Sequence, residues 1–290
     1  MTLIESINKA ADRFIAAGIT NARLDAQALL CHTLGTDRAW LLAHIQEALD
    51  EASRALFERA VDRRTLREPL QYILGRQEFW GLDFIVTRDV LIPRPETELI
   101  IEAALKLVPN KDARLTVLDL CTGSGCIAVS LAKELTSARI FASDKSEEAL
   151  NVARENARRH GVADRVRFLE GDLFGSLEEL DLRGRVDIMV SNPPYIPSGE
   201  FSALQPEVRD YEPRMALIAG QNGTEIHQRI IDEAPGFLGS KNALILEMGI
   251  GQAGALVQIV REAGTYDDPI ILKDLAGIER VMIAQKRSRI

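Results

Sequence analysis

Val117-Leu118-Asp119-Leu120-Cys121-Thr122-Gly123-Ser124-Gly125-Cys126-Ile127-Ala128 is the stretch that decides the fold. Its first residues read as a buried strand, Thr122 to Gly125 as a turn, and Ile127 onward as a helix. Gly123 and Gly125 permit backbone angles and a close approach that a Cβ would forbid. Strand, glycine turn and helix in that order let a ligand lie against the backbone at the carboxyl end of the strand. The loop is not a Walker A loop, because no Gly-Lys-Ser/Thr follows. Counting from Gly123, the third place of the dinucleotide fingerprint falls on Ala128, which that fingerprint tolerates.

Working outward, strands and helices alternate after residue 113. Strands are predicted over Leu115–Leu120, Arg139–Ser143, Val166–Glu170, Val186–Val190, Ala243–Met248, Pro269–Leu272 and Arg280–Ala284. Helices are predicted over Ile127–Glu134, Glu147–Arg159 and Thr224–Ala234. This alternation predicts a mostly parallel sheet covered on both faces. Lys273–Glu279 is too short for a parallel crossover, so the last strand is predicted antiparallel. The fold class is therefore α/β, a Rossmann-like seven-stranded sheet similar to that of class I methyltransferases.

Asp144 ends the second strand, about 20 residues past the last glycine, where an acid can accept from both ribose hydroxyls of a nucleoside cofactor. Asp172 follows the third strand, where an adenine amine can be met, and Leu173 would flank the adenine ring. Read alone, the loop is a generic turn and Asp144 a helix cap. Together they predict a nucleoside-type cofactor on Cys121, Thr122, Gly123, Ser124, Gly125, Asp144, Asp172 and Leu173.

The front of the chain differs. Ile4, Ile7, Ala11, Phe14 and Ile15 recur at helical spacing, and further helices are predicted near Leu24–Leu34, Ala39–Ile45 and Ala52–Leu66. The expected domains are a helical bundle over residues 1–72, a β-hairpin linker over 73–92 and an α/β domain over 93–290. Pro95 and the acids around it are helix-entry signals. Arg94, Glu96 and Thr97 read equally as helix entry or as a lid over the cofactor. The 290 residues carry a net charge of −8, which counts against a protein that grips duplex DNA through many phosphates. Three cysteines, none in a CxxC, predict reduced thiols in a cytoplasmic protein and no metal site. No apolar run suggests a membrane span.

Ser191-Asn192-Pro193-Pro194-Tyr195 follows the fourth strand, which should end beside the first. Two prolines stop the strand. The Asn192 side-chain oxygen and the Pro193 carbonyl can accept the two N–H bonds of one NH2 group, and Tyr195 offers a flat face to a planar amide or base. Holding such a nitrogen so that its lone pair faces a methyl donor favours S-adenosylmethionine over NAD as the cofactor. Asn192 thus borders both ligands, and Asn192, Pro193 and Tyr195 are the predicted catalytic residues. The bland alternative is a rigid turn with Tyr195 in the core. Glu247, ending strand five, reads as structural rather than catalytic.

Gln71–Gly75, Glu78–Gly81, Leu91–Glu98, Asp119–Gly125, Val190–Ile196, Glu212-Pro213 and Lys273–Gly277 together resemble the HemK/PrmC type of peptide chain release factor glutamine methyltransferase. The resemblance spans essentially the whole chain. Asn-Pro-Pro-Tyr is shared with several amino-methyltransferase families, whereas Pro93-Arg94-Pro95-Glu96-Thr97-Glu98 is far more telling. The resemblance implies S-adenosylmethionine on the Cys121–Gly125 loop and Asp144. It implies methyl transfer to the glutamine of a Gly-Gly-Gln motif, held by Asn192, Pro193, Pro194 and Tyr195, with Phe79 lining the pocket and the helical bundle recognising the substrate protein. Cys121 stands where glycine is common, and Leu173 where some members carry an aromatic. The partners implied are release factors, with no stable nucleic acid and no membrane. The rival readings are an adenine amino-methyltransferase on DNA or RNA, and a non-enzymatic cofactor-binding protein.

Overall fold

The computed structural model describes residues 1–288. In chain order it forms α1 (Leu3–Ala16), α2 (Ala22–Leu34), α3 (Arg38–Ala43), α4 (Glu51–Thr65) and α5 (Leu70–Leu74), then the hairpin β1 (Arg76–Phe79) and β2 (Leu82–Ile85). There follow α6 (Glu98–Leu107), β3 (Thr116–Leu120), α7 (Cys126–Glu134), β4 (Arg139–Asp144), α8 (Glu147–Arg159), β5 (Val166–Glu170) and β6 (Val186–Ser191). The remainder is β7 (Ile196–Pro197), α9 (Pro206–Tyr211), β8 (Ile218–Gly220), α10 (Glu225–Glu233), β9 (Leu238–Glu247), α11 (Ala253–Ala263), β10 (Ile270–Lys273) and β11 (Glu279–Gln285).

These elements make two compact units. The first is Met1–Arg76 with Gln205–Tyr211. A capping box starts α1: the Thr2 hydroxyl accepts from Glu5 N, and the Glu5 carboxylate accepts from Thr2 N. Ile7, Phe14, Leu29, Leu30, Leu41 and Phe57 close an apolar core among its helices. Helix α9 is held in this unit by charge, because Glu207 accepts from Arg64 and Arg67. Ile73 and Leu74, assigned from sequence to the hairpin linker, are instead the last residues of α5. Gly75, with φ of +70°, ends it.

The second unit starts at Gln77 and omits Gln205–Tyr211. So most of the hairpin expected as a linker packs with the sheet, because Phe79 and Phe84 bury in the sheet's core. Trp80 and Gly81, both at positive φ, make the tight two-residue turn between β1 and β2. The large sheet has the order β10-β11-β9-β6-β3-β4-β5. β3, β4, β5, β6 and β9 run parallel, and β11 pairs antiparallel with β9 and β10. The last strand is thus the reversed one, as the short connection requires.

Neighbouring residues on one strand enter opposite cores. Val117, Ile188 and Ile245 meet Ile100, Ile127 and Leu131 on one face. Leu118, Met189 and Leu244 meet Ile230, Ile231 and Leu256 on the other. Helix α11 lies where the sequence reading left no element. Ala253, Leu256 and Val260 supply its buried face.

Candidate active site

The chain reverses its direction of sheet growth between β3 and β6. It runs outward through β4 and β5, then returns to the far side of β3. A crevice opens at such a point beyond the carboxyl ends of the strands. Here it is a cavity of about 260 Å³. Cys121–Ser124 after β3, Asp144 ending β4, Asp172 and Leu173 after β5, and Asn192 and Pro194 after β6 all line it.

The glycine loop is braced from below. Thr122 donates its hydroxyl to Asp119 Oδ2 at 2.6 Å and its N–H to the Ser143 carbonyl at 3.0 Å. Asn156 of α8 donates to the Ser124 carbonyl at 2.9 Å while pairing with both backbone groups of Ile85. Asp119 is fully buried, and desolvation pushes its carboxyl up to about 7. Cys121 has φ of +59°, a left-handed conformation that favours glycine. Burial raises its thiol pKa, so the group is a neutral neighbour for a ligand.

The two glycines do different work. A Cβ on Gly123 would stand in open space on the cavity side. A Cβ on Gly125 would lie 3.0 Å from Ala153 Cβ, so this glycine lets α7 start hard against α8. Gly125 is not among the cavity-lining residues.

Asp144 accepts from Gly123 N at 2.8 Å and Ser146 N at 3.0 Å. Its burial raises its pKa. The cap role read from sequence falls to Ser146, whose hydroxyl accepts from Ala149 N at 3.1 Å, while Asp144 lines the cavity. Asp172 borders the cavity with its charge already engaged, by Arg229 at 3.2 Å and Lys145 at 3.8 Å. Leu173 is buried at φ of +53°.

Ser191 donates to the Leu120 carbonyl at 2.6 Å, and Leu120 pairs with Ser191 in register. Asn192 therefore emerges beside Cys121. Its Nδ2 donates to Thr97 Oγ1 at 3.1 Å, and Thr97 donates to Glu247 Oε2 at 2.6 Å. The Tyr195 hydroxyl donates to Glu247 Oε1 at 3.3 Å, and the Tyr195 carbonyl accepts from Gln252 at 2.8 Å. Tyr195 and Pro193 are absent from the cavity lining, whereas Pro194 and Asn192 are in it. Phe79 is also absent from the lining; it is buried edge-on against Phe84 because β1 turns it into the core.

The Leu91–Glu98 strap is pinned at several points. Glu212 accepts from Ile92 N at 3.2 Å and pairs with Arg94. Glu98 accepts from Trp80 N at 2.8 Å. Arg94 and Thr97 line the cavity, so the strap is part of its wall as well as a helix entry. Arg229 and Met215 also line the cavity and were not singled out from sequence; Arg229 lies on α10 and Met215 just past Glu212-Pro213, and neither spacing nor residue type marks them.

The residues fit S-adenosylmethionine. A left-handed loop leaves its backbone open at Gly123, a carboxylate ends the neighbouring strand, and apolar Leu173 and Ile226 share the wall. Asn192 lines the same cavity.

Known proteins agree with this architecture. The family described as PrmC N-terminal domain matches residues 5–75, and that described as methyltransferase domain matches residues 111–231. The catalytic domain of hMettl16 in complex with the MAT2A 3'UTR hairpin 6 shares the fold. It has 17% identity and a TM-score of 0.59, over 80% of this chain and 83% of that one. The release factor glutamine methyltransferase of Geobacter sulfurreducens is 46% identical over 91% of this chain and 90% of its own length. That of Moorella thermoacetica is 42% identical over 99% of both. With a cavity built for a nucleoside methyl donor, and relatives of this identity aligned end to end, the chain belongs to the release factor glutamine methyltransferase family.

Proposed function

We propose that this chain transfers a methyl group from S-adenosylmethionine to the side-chain amide nitrogen of the glutamine in the Gly-Gly-Gln motif of peptide chain release factors, with Asn192 holding that amide. The observation that carries the reading is the position of Asn192. It leaves β6 on the wall of the same cavity that the glycine loop and Asp144 line.

Bound S-adenosylmethionine supplies a methyl carbon on a cationic sulfonium, already activated for displacement. What the protein must do is improve a poor nucleophile, since the amide lone pair is delocalised. Asn192 Oδ1 and the Pro193 carbonyl accept the two N–H bonds, so the nitrogen is held with a localised lone pair toward the methyl. Attack by the held nitrogen would form the N–C bond as the S–C bond breaks, releasing S-adenosylhomocysteine, and the proton shed by the methylated amide would pass to solvent water. No strong base is needed beforehand, because the N–H becomes acidic as the methyl adds. Asp144 is the ribose acceptor, and Asp172 and Leu173 flank the base. Tyr195 works through its bond to Glu247 rather than as an exposed wall.

The helical unit is the part that recognises the substrate protein. Among the described residues no helix is long and apolar enough to cross a membrane. Cytoplasmic action without a stable nucleic-acid partner fits the role in translation termination.

One assay tests this. The protein is incubated with methyl-labelled S-adenosylmethionine and, separately, a release factor, the same factor with its Gly-Gly-Gln glutamine replaced, and DNA. Label is expected on the first alone. Label on DNA but not on the factor would sink the proposal in favour of an adenine amino-methyltransferase. Asn192→Ala should lower transfer by about 10²- to 10³-fold with little change in cofactor binding.

A further inference from the structure

An asparagine amide has two faces: Oδ1 accepts and Nδ2 donates. A substrate NH2 needs the accepting face, and the backbone of a strand-ending turn does not choose between them. We propose that Glu247, acting through Thr97, is a positioning residue that keeps Asn192 Oδ1 turned toward the substrate amide. This rests on the reading that Asn192 holds the glutamine.

The argument is one of donor polarity. An ionised carboxylate can only accept. Glu247 takes the Thr97 hydroxyl proton on Oε2 at 2.6 Å and the Tyr195 hydroxyl proton on Oε1 at 3.3 Å. With its proton committed, Thr97 Oγ1 is left as an acceptor toward Asn192, and it receives Nδ2 at 3.1 Å. The other end of the Asn192 amide, Oδ1, is thereby directed away from Thr97. Thr97 and Glu247 are both 2% exposed, so water does not compete for these bonds. A site of packing alone would be served better by an apolar side chain, because burying a carboxylate carries a desolvation penalty that an apolar group does not.

The charged and titratable groups around Glu247 come from every neighbouring element. Arg280 on β11 favours its ionised form, while Glu96 before α6 opposes it. Tyr195 and Thr97 donate to it, and Cys126 on α7 senses its charge. The His227 ring on α10 donates to its backbone carbonyl at 2.7 Å. Burial is the largest influence and pushes the carboxyl up to about 7. Once protonated, Glu247 can donate to Thr97. The Thr97 proton then turns toward Asn192, and the amide must rotate to present Oδ1 inward and NH2 to the cavity. Transfer therefore requires the ionised carboxylate and weakens as pH falls through about 7.

The test uses the full chain with S-adenosylmethionine and a release factor. Thr97→Val keeps the side-chain shape without the hydroxyl, and Thr97→Ser keeps the hydroxyl. Thr97→Val should lower kcat by about 10- to 100-fold, with the cofactor Kd unchanged within about twofold by calorimetry. Thr97→Ser should stay within about threefold of the parent. Glu247→Gln should flatten the kcat profile that, in the parent, rises between about pH 6 and 8. Parental kcat in Thr97→Val, or equal losses in the Val and Ser variants, overturns the proposal. Should Thr97→Val fail to fold, the Glu247→Gln profile decides: a rise like the parent's overturns it. Asn192→Ala separates the two levels. If it still transfers methyl, the underlying reading fails; if it is inactive while Thr97→Val is not, only the positioning role fails.

Discussion

Asp144 holds two jobs on one carboxylate. It accepts from Gly123 N and Ser146 N, fixing the loop and the start of α8, and it borders the cavity where a ribose would lie. Removing a charged acceptor of this kind costs about 1.5–3 kcal/mol. Asp144→Ala should therefore weaken S-adenosylmethionine binding by about 10- to 100-fold in a calorimetric titration, and unchanged affinity would remove Asp144 from the cofactor site. Its importance was legible in the sequence because spacing alone puts an acid at the end of the second strand. Thr97 was visible as a helix-entry or lid residue and Glu247 as a strand end, with nothing to join them. Nothing in a linear sequence says that residues 97, 192, 195 and 247 share a hydrogen-bond chain, since that depends on the entry to α6 meeting the carboxyl ends of β6 and β9.

At the scale of elements, the first β-turn-α segment is set by Gly125. It sits at φ of +78°, and a Cβ there would meet Ala153 at 3.0 Å. Left-handed backbone costs an L residue about 1–2 kcal/mol, and overpacking a tight helix contact costs about 1–3 kcal/mol more. Gly125→Ala should lower stability by about 2–4 kcal/mol, read as a reduced denaturant midpoint; an unchanged midpoint would mean that α7 and α8 can slide apart cheaply. The parallel strands were legible because buried apolar runs stand between amphipathic helices. The elements missed were short or weakly marked. α5 is a single turn next to glycines, and α11 carries an apolar stripe with no cap residue before it. The family resemblance implied Phe79 as a pocket residue, yet β1 and its two-residue turn send it into the core.

At the scale of the whole molecule, the helical unit recruits a distant segment, Gln205–Tyr211. Arg64 is its hinge of charge. It is buried, donating to Asp25 at 2.8 Å, to the Glu68 carbonyl at 3.0 Å and to Glu207 at 3.1 Å. Arg64→Ala would leave the buried Asp25 carboxylate without this cation, at a cost of about 3–5 kcal/mol, while Glu207 keeps Arg67. The two tryptophans make this readable, since Trp40 is in the helical unit and Trp80 in the sheet unit. In a Trp80→Phe background, Trp40 fluorescence should report a lower unfolding midpoint for Arg64→Ala. The same midpoint as the parent would show that the network adds nothing to stability.

By itself the sequence determined the sheet, its reversed last strand, the glycine loop with its acid, and the family. These follow from local patterns: apolar runs, helical spacing, turn residues and connection lengths, each read within a short window. Tertiary structure alone decided which residues surround Asn192. It drew Pro93–Glu98, Glu212 and Glu247 to the carboxyl ends of the strands, with Thr97, Asn192, Tyr195 and Glu247 in one hydrogen-bonded chain. It also gave Gln205–Tyr211 to the helical unit. The physical reason is that a buried polar group must find its partner wherever the packed chain brings one, and sequence distance places no limit on that.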